Sequence, residues 1–275
     1  VLDFNLMTDF NKDLREKLSS VALIEPPKIY QEYISEEGTI KYLIQLRSGS
    51  MIEMVVIPEK NRRTLCVSSQ AGCALQCTFC ATGAQGFDQN LESHEIIGQL
   101  WLANFYKNNS KPITNVVFMG MGEPLLNYDA VIESAKIMKD QLSYGLSRKR
   151  ITISTSGIVP NINKLPKDID VSLAISLHAA EDKLRNEIVP INNKYPIKSL
   201  IQSCKDYLDY FENKRNITIE YILIDGVNDS IEHASKLTKL LSDISCKINL
   251  IPFNSFLGSN YKRPSNNKIE AFKKY

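Results

Sequence analysis

A chain of 275 residues, 43% apolar and 23% charged, is long enough for one large α/β domain with a small appendage and has the composition of a globular protein. No run approaches the roughly 18–20 uninterrupted apolar residues of a spanning helix, and the first residues lack the basic-then-apolar order of a secretory signal. No membrane association is expected, and a cytoplasmic monomer is. The net charge of +2 does not announce a nucleic-acid binder, and basic groups at Arg62 and Arg63, at Arg148, Lys149 and Arg150, and at Lys262 and Arg263 read on charge alone as solvated surface.

In chain order, Phe4, Met7, Phe10, Leu14 and Leu18 fall on one face of a helix. Ile40, Tyr42, Ile44 and Leu46 then alternate with more polar neighbours, the turn RSGS follows, and 51–57 is a second extended run, which predicts a hairpin. Residues 1–60 are therefore expected to form a small N-terminal α+β unit, incomplete at its start, ahead of a main domain over 61–275. In that domain extended runs at 64–68, 115–119, 150–155, 171–177, 217–224 and 247–253 alternate with helical stretches. Helical periodicity is clear at Ile97, Leu100, Trp101 and Phe105, at Val131, Ala135, Met138 and Leu142, and at Ala234, Leu237, Leu240 and Leu241. Asn127 is placed to cap the second of these. Alternation implies a parallel sheet, and six units fall short of the eight that close a barrel. The fold class predicted is α/β, an open (βα)6 TIM-like partial barrel. The sequence starts at Val1 and stops in KIEAFKKY, the expectation for a chain trimmed at both ends.

The densest chemistry lies in GCALQCTFC (72–80), where Cys73, Cys77 and Cys80 have the spacing C-x3-C-x2-C. Thiolates are soft donors that select iron-sulfur, zinc or cuprous ions. A structural zinc site closes with four protein ligands and a simple ferredoxin cluster takes four cysteines, so three suit a cubane with one iron left open. Six cysteines, half of them in this cluster, argue for a reducing compartment rather than a disulfide framework. Cys204 falls on a helix face with Leu200, Ile201 and Leu208 and reads as core; Cys246 precedes the last strand.

The spacing is that of radical-SAM enzymes, and the run TLCVSSQAGCALQCTFCATG (64–83) resembles the RlmN/Cfr family of RNA adenine methyltransferases. So do GMGEP (120–124), ISTSGIVP (153–160), SLHA (176–179), VPIN (189–192), DGVND (225–229) and LIPFN (250–254). The resemblance implies a radical-SAM barrel with a [4Fe-4S] cluster on Cys73, Cys77 and Cys80. It assigns Gly122, Glu123, Ser154, Ser176, Leu177, His178 and Asn254 to S-adenosyl-L-methionine (SAM). It makes Glu53 the proton acceptor, buried on its strand between Met51 and Val55 so that its pKa rises, and Cys66 the thiol that resolves an enzyme–RNA intermediate through a disulfide bond. Without the resemblance, Cys66 reads as a small buried hydrophobe, His178 as a hydrogen-bonded structural histidine, Gly120 to Glu123 as turn chemistry, and Glu53 as a surface glutamate on a half-exposed strand.

The activity so implied is methylation of adenine carbon 2 in 23S rRNA and tRNA, with flavodoxin or ferredoxin as reductant. The family's methyl-carrying cysteine, in a word like DI-x-x-ACGQL, does not occur before Tyr275, so this sequence by itself is expected to bind cluster and SAM without completing turnover. The competing readings are a Cfr-type enzyme acting on adenine carbon 8 and a non-catalytic RNA-binding module with zinc on the three cysteines and a histidine.

Overall fold

The computed structural model describes residues 2–106, 111–212 and 214–275. The amino-terminal periodicity splits in two. Asp3 caps a single turn of 3-10 helix at Phe4–Leu6, and Asn11 restarts the chain as α1 (Lys12–Val21) by accepting the Leu14 amide at 2.8 Å. Three antiparallel strands follow: β1 (Lys28–Ile34), β2 (Ile40–Gln45) and β3 (Met51–Pro58). The β2–β3 hairpin is the one its alternation predicts. β1 is an addition, an edge strand exposed on both faces with a bulge between Ile29 and Gln31, so no alternation marks it.

β3 pairs antiparallel with β4 (Arg63–Cys66), the first strand of the parallel array, so the strands on either side of the turn at 59–62 belong to one nine-stranded sheet. A short ribbon of β5 (Gln70–Gly72) and β6 (Phe87–Asn90) brackets α2 (Ala81–Gln85). After it come α3 (Ser93–Phe105), β7 (Asn115–Phe118), α4 (Tyr128–Lys139), β8 (Ile151–Thr155), α5 (Val159–Asp168), β9 (Ser172–Ser176), α6 (Asp182–Ile188) and α7 (Ile197–Tyr210). The last elements are β10 (Ile217–Leu223), α8 (Ile231–Leu241), β11 (Cys246–Pro252) and α9 (Asn266–Lys274). In the sheet β4, β7, β8, β9, β10 and β11 are successive parallel neighbours. That is the open six-stranded array, with an antiparallel extension at one edge.

The outward residues Leu65, Val116, Phe118, Ile151, Ile153, Leu173, Ile175, Ile217 and Ile219 are buried at 0–1% exposure; truncating one costs about 2–5 kcal/mol. The opposite, concave face carries the intervening positions, including Thr152, Ser154, Ser172, Ser176 and Glu220. Two helical details depart from the periodicity. α4 stops at Lys139, because Asp140 accepts the Leu142 amide in a turn and leaves Leu142 fully exposed. Asn127 stands at the cap position, but its side-chain amide donates instead to the Ser69 and Leu91 carbonyls at 2.8 and 2.7 Å. Cys204 has no exposed surface, as its helix face implies. No helix among the described residues is long and apolar enough to cross a membrane.

Candidate active site

The cysteine loop leaves β5 and returns through α2 to β6, and its ends are fixed by backbone contact. The Cys73 amide donates to the Gly86 carbonyl at 2.7 Å, and Gly72, at φ +72°, brings its α-carbon so close that an added Cβ would lie 1.9 Å from that same oxygen. Within the loop the Cys80 amide donates to the Cys77 carbonyl at 3.0 Å and the Gly83 amide to the Cys80 Sγ at 3.5 Å. Cys73, Cys77 and Cys80 are free, partly buried, and line one cavity of about 270 Å³ at the carboxyl ends of the parallel strands. Active sites of parallel α/β barrels gather at this end.

Burial pushes the Cys73 thiol up to about 11 and the Cys77 thiol to about 12, and each is raised further by its neighbouring sulfurs and by Glu123. Metal binding must therefore displace protons from these sulfurs. Among the described residues no three His, Cys, Asp or Glu side chains converge on a point that one metal ion could occupy. Soft thiol donors lining one cavity suit an iron-sulfur cluster.

The facing wall comes from the loop after β7. Gly122 adopts φ +97°, and a Cβ there would meet the Gln70 side chain at 2.5 Å. Glu123, 2% exposed, turns into the cavity wall. Its amide donates to Gln70 Oε1 at 2.8 Å, while its own oxygens accept the Leu125 amide at 3.1 Å and the Ser156 amide at 2.8 Å. Burial outweighs these hydrogen bonds and raises its pKa above the carboxylate range. The Thr155 and Ser156 side chains also hydrogen-bond to this carboxylate, which stands in the cavity wall as an acceptor.

His178 completes the wall. It is held at φ +61°, a left-handed conformation unusual for a residue with a side chain. Asn228, fully buried, fixes it there: its amide donates to the His178 carbonyl at 2.9 Å and to the Ile222 carbonyl at 2.6 Å, and its oxygen accepts the Ile224 amide at 2.7 Å. His178 Nδ1 accepts the Ile222 amide at 3.1 Å, which assigns the proton to Nε2. The ring meets Phe79 of the cysteine loop edge-on, with centroids 4.7 Å apart. Burial, and then the nearby Arg185 cation, depress its pKa to about 3. The imidazole is a neutral donor across the working pH range.

Gly122, Glu123, Ser154, Ser176 and His178 thus share one cavity with the three cysteines. Leu177 is fully buried behind it, and Asn254 is exposed beyond the end of β11. Cys66 ends β4, in register with Val55 on β3 and Val117 on β7; burial pushes its thiol up to about 12, opposed by a hydrogen bond with the Met119 backbone. The expectation of a buried Glu53 requires correction. Strand alternation puts Met51, Glu53 and Val55 on the half-covered face of β3, and the Glu53 side chain, 43% exposed, pairs with Lys41 at 2.9 Å. All six cysteines are free, so no disulfide joins any pair of those in this sequence.

Several supporting residues carry no chemistry in the sequence reading. Gln99 grips Ser68 bidentately, accepting its amide at 2.8 Å and donating to its carbonyl at 2.9 Å. Arg185 and Asn228 hold the strand ends behind the cavity. The words VPIN and DGVND contain two partners in this framework, Asn192 and Asn228, and that is the signal that could have found it.

The Radical SAM superfamily profile matches residues 67–237. A curated "Dual-specificity RNA methyltransferase RlmN" from Pseudomonas putida is 57% identical over 99% of this chain and 73% of its own length, and one of the same name from Pseudomonas fluorescens is 53% identical over 98% and 72%. A crystal structure of a radical SAM methyltransferase from Sphaerobacter thermophilus superposes with a TM-score of 0.93 at 40% identity, covering all of this chain and 81% of that one. The family uses a [4Fe-4S] cluster and SAM, and the soft-donor cavity is chemically suited to them. The chain belongs to the radical SAM superfamily and, within it, to the RlmN family of SAM-dependent methyltransferases.

Proposed function

We propose that this protein methylates carbon 2 of an adenine in 23S rRNA and in tRNA, with a methylated cysteine as the carrier. The observation that carries the reading is the placement of Glu53 and Cys66. Val55 and Cys66 face each other across β3 and β4, and cross-strand partners point to the same side. Glu53 lies one pleat from Val55, roughly 7 Å along the strand, so a carboxylate and a thiol share one face beside the cavity. The same face continues from Val117 to Met119, which lines the cavity.

When bound, the cluster and SAM supply the one-electron chemistry that an unreactive adenine ring carbon requires. Cys73, Cys77 and Cys80 hold the cluster in this reading. Gly122 admits the methionine end of SAM, Glu123 accepts hydrogen bonds from its ammonium group, and neutral His178 donates from Nε2. Ser154, Ser176, Leu177 and Asn254 complete the pocket. Glu53 takes the ring proton after exchanging its contact with Lys41. Cys66 then attacks the sulfur of the carrier cysteine: a disulfide forms, the carbon–sulfur bond to the base breaks toward carbon, and that carbon takes up a proton.

None of the six cysteines present suits the carrier role, since three face the cluster cavity, Cys66 resolves, Cys204 is sealed in the core, and Cys246 begins β11 at the far end of the sheet. The protein works as a monomer, with flavodoxin or ferredoxin as reductant. Mass spectrometry of RNA treated with the full-length, anaerobically reconstituted protein tests this. The expected product is 2-methyladenosine; 8-methyladenosine would transfer the protein to the Cfr-type reaction, and one equivalent of zinc without iron or sulfide would remove it from catalysis.

A further inference from the structure

A second cavity, of about 520 Å³, opens at the opposite, amino-terminal ends of the parallel strands. Six cations line it: Arg62, Arg148, Lys149, Lys214, Arg215 and Lys247. Three of them are paired, Arg62 with Glu59, Lys214 with Glu212, and Arg215 with Asp170 at 2.7 Å. Arg148, Lys149 and Lys247 have no carboxylate within 4 Å among the described residues. The surplus of three positive charges here exceeds the +2 of the whole chain, so positive charge is segregated to this end.

The cavity floor is the concave face itself. Thr152, Ser172 and Thr218 bring hydroxyl groups to it, and Thr152 is one pleat from Ser154 of the SAM-side cavity, roughly 7 Å along β8. A base-modifying enzyme must draw its target base out of the stack, and the flanking phosphates follow it toward the protein. Cations and hydroxyls on the same face, below the reaction site, meet that need.

We propose that this cavity binds phosphates of the RNA backbone flanking the target adenine. The inference rests on the reading of the chain as an RNA methyltransferase. An acidic electron-transfer protein is the other partner that positive charge would attract. The cavity fits it less well, because a flexible phosphodiester strand can enter a concave pocket that a folded protein surface would span.

The test compares the full-length protein with its Lys149→Glu/Lys247→Glu variant, using a tRNA transcript as probe and titrating salt. Both lysines are exposed, so the fold should persist; Lys274→Glu on α9 is the control for net charge. The variant should bind tRNA at least about tenfold more weakly, and the slope of log K against log[salt] should shrink by about one for each lost phosphate contact. SAM affinity should be unchanged. Wild-type affinity and slope in the variant, or an equal loss in Lys274→Glu, would overturn the inference, as would a loss confined to flavodoxin binding. A wild-type protein that binds tRNA with this signature yet methylates no RNA would defeat the functional reading and leave the phosphate site standing.

Discussion

Arg185, which has no exposed surface, donates through Nε to the Leu177 carbonyl at 2.9 Å. The rest of its guanidinium reaches the Ser176 carbonyl at 3.1 Å, the Ser156 carbonyl at 2.6 Å and Asn192 Oδ1 at 2.8 Å. One buried fork thereby ties the ends of β8 and β9 behind the cavity, with no carboxylate among the described residues in direct contact. Burial depresses its pKa to about 10, which leaves it charged at neutral pH.

Replacing Arg185 by Met should remove the donor from four acceptors, of which the Leu177 carbonyl keeps the Ala179 amide at 2.8 Å. Each costs about 1–3 kcal/mol when left unpaired, so a loss of about 3 kcal/mol or more is expected in urea unfolding. Lys can reach some of these acceptors but lacks the planar fork, so Arg185→Lys should fall between. SAM affinity should drop with both, because Ser176 and His178 lose their support. A Met variant as stable as wild type would mean that the carbonyls find other donors.

The pKa of about 3 at His178 makes stability depend on pH in a defined direction. Below the ordinary value near 6.5, the unfolded chain takes up a proton that the folded chain refuses. Stability contributed by the neutral ring is complete above pH 6.5 and is lost as the pH falls toward 3, with a slope approaching about 1.4 kcal/mol for each pH unit. Unfolding free energies of the cluster-free protein between pH 7 and 5 should show that slope, and His178→Gln should lack it.

Much of this architecture is legible from the chain. The apolar outer faces of the six parallel strands announce themselves as runs such as ITIST and VSLAIS, and the β2–β3 alternation announces a hairpin. β1 is not legible, because a strand exposed on both faces needs no pattern. The β5–β6 ribbon is too short to have a period. Glu53 is legible in part: Met51 and Val55 on its face suggest burial, the half-exposed strand suggests a surface glutamate, and the half-covered face of β3 agrees with the second. Arg185 reads as a surface cation in a helix, DKLRNEI, whose charged composition hides one inward position. Spacing and motif words mark the residues that line the cavity better than those that hold the lining in place.

Glu123→Gln keeps the shape of the side chain and removes its charge. The amide nitrogen of Gln would have to face either the Leu125 or the Ser156 amide, both of them donors. A charge-assisted hydrogen bond contributes about 1.5–3 kcal/mol, so SAM should bind about 10- to 100-fold more weakly by equilibrium dialysis. Iron content should stay at the wild-type level, since the three cysteines are untouched. Unchanged SAM affinity would remove Glu123 from the ammonium site.

Gly72 offers the sharpest separation of backbone strain from steric collision. Gly72 and Gly49 both stand at positive φ, +72° and +93°, but a Cβ on Gly49 meets nothing within 4 Å, whereas one on Gly72 meets the Gly86 oxygen at 1.9 Å. Left-handed strain alone costs about 1–2 kcal/mol, and both alanine variants should show it. Only Gly72→Ala should also force β5 and β6 apart, because the obstacle is backbone rather than a movable side chain. The cysteine loop hangs from that pair, so iron and sulfide retained after anaerobic reconstitution should fall well below wild type in Gly72→Ala and stay at wild type in Gly49→Ala. Equal iron content in the two would show that the loop holds its cluster geometry without the β5–β6 ribbon.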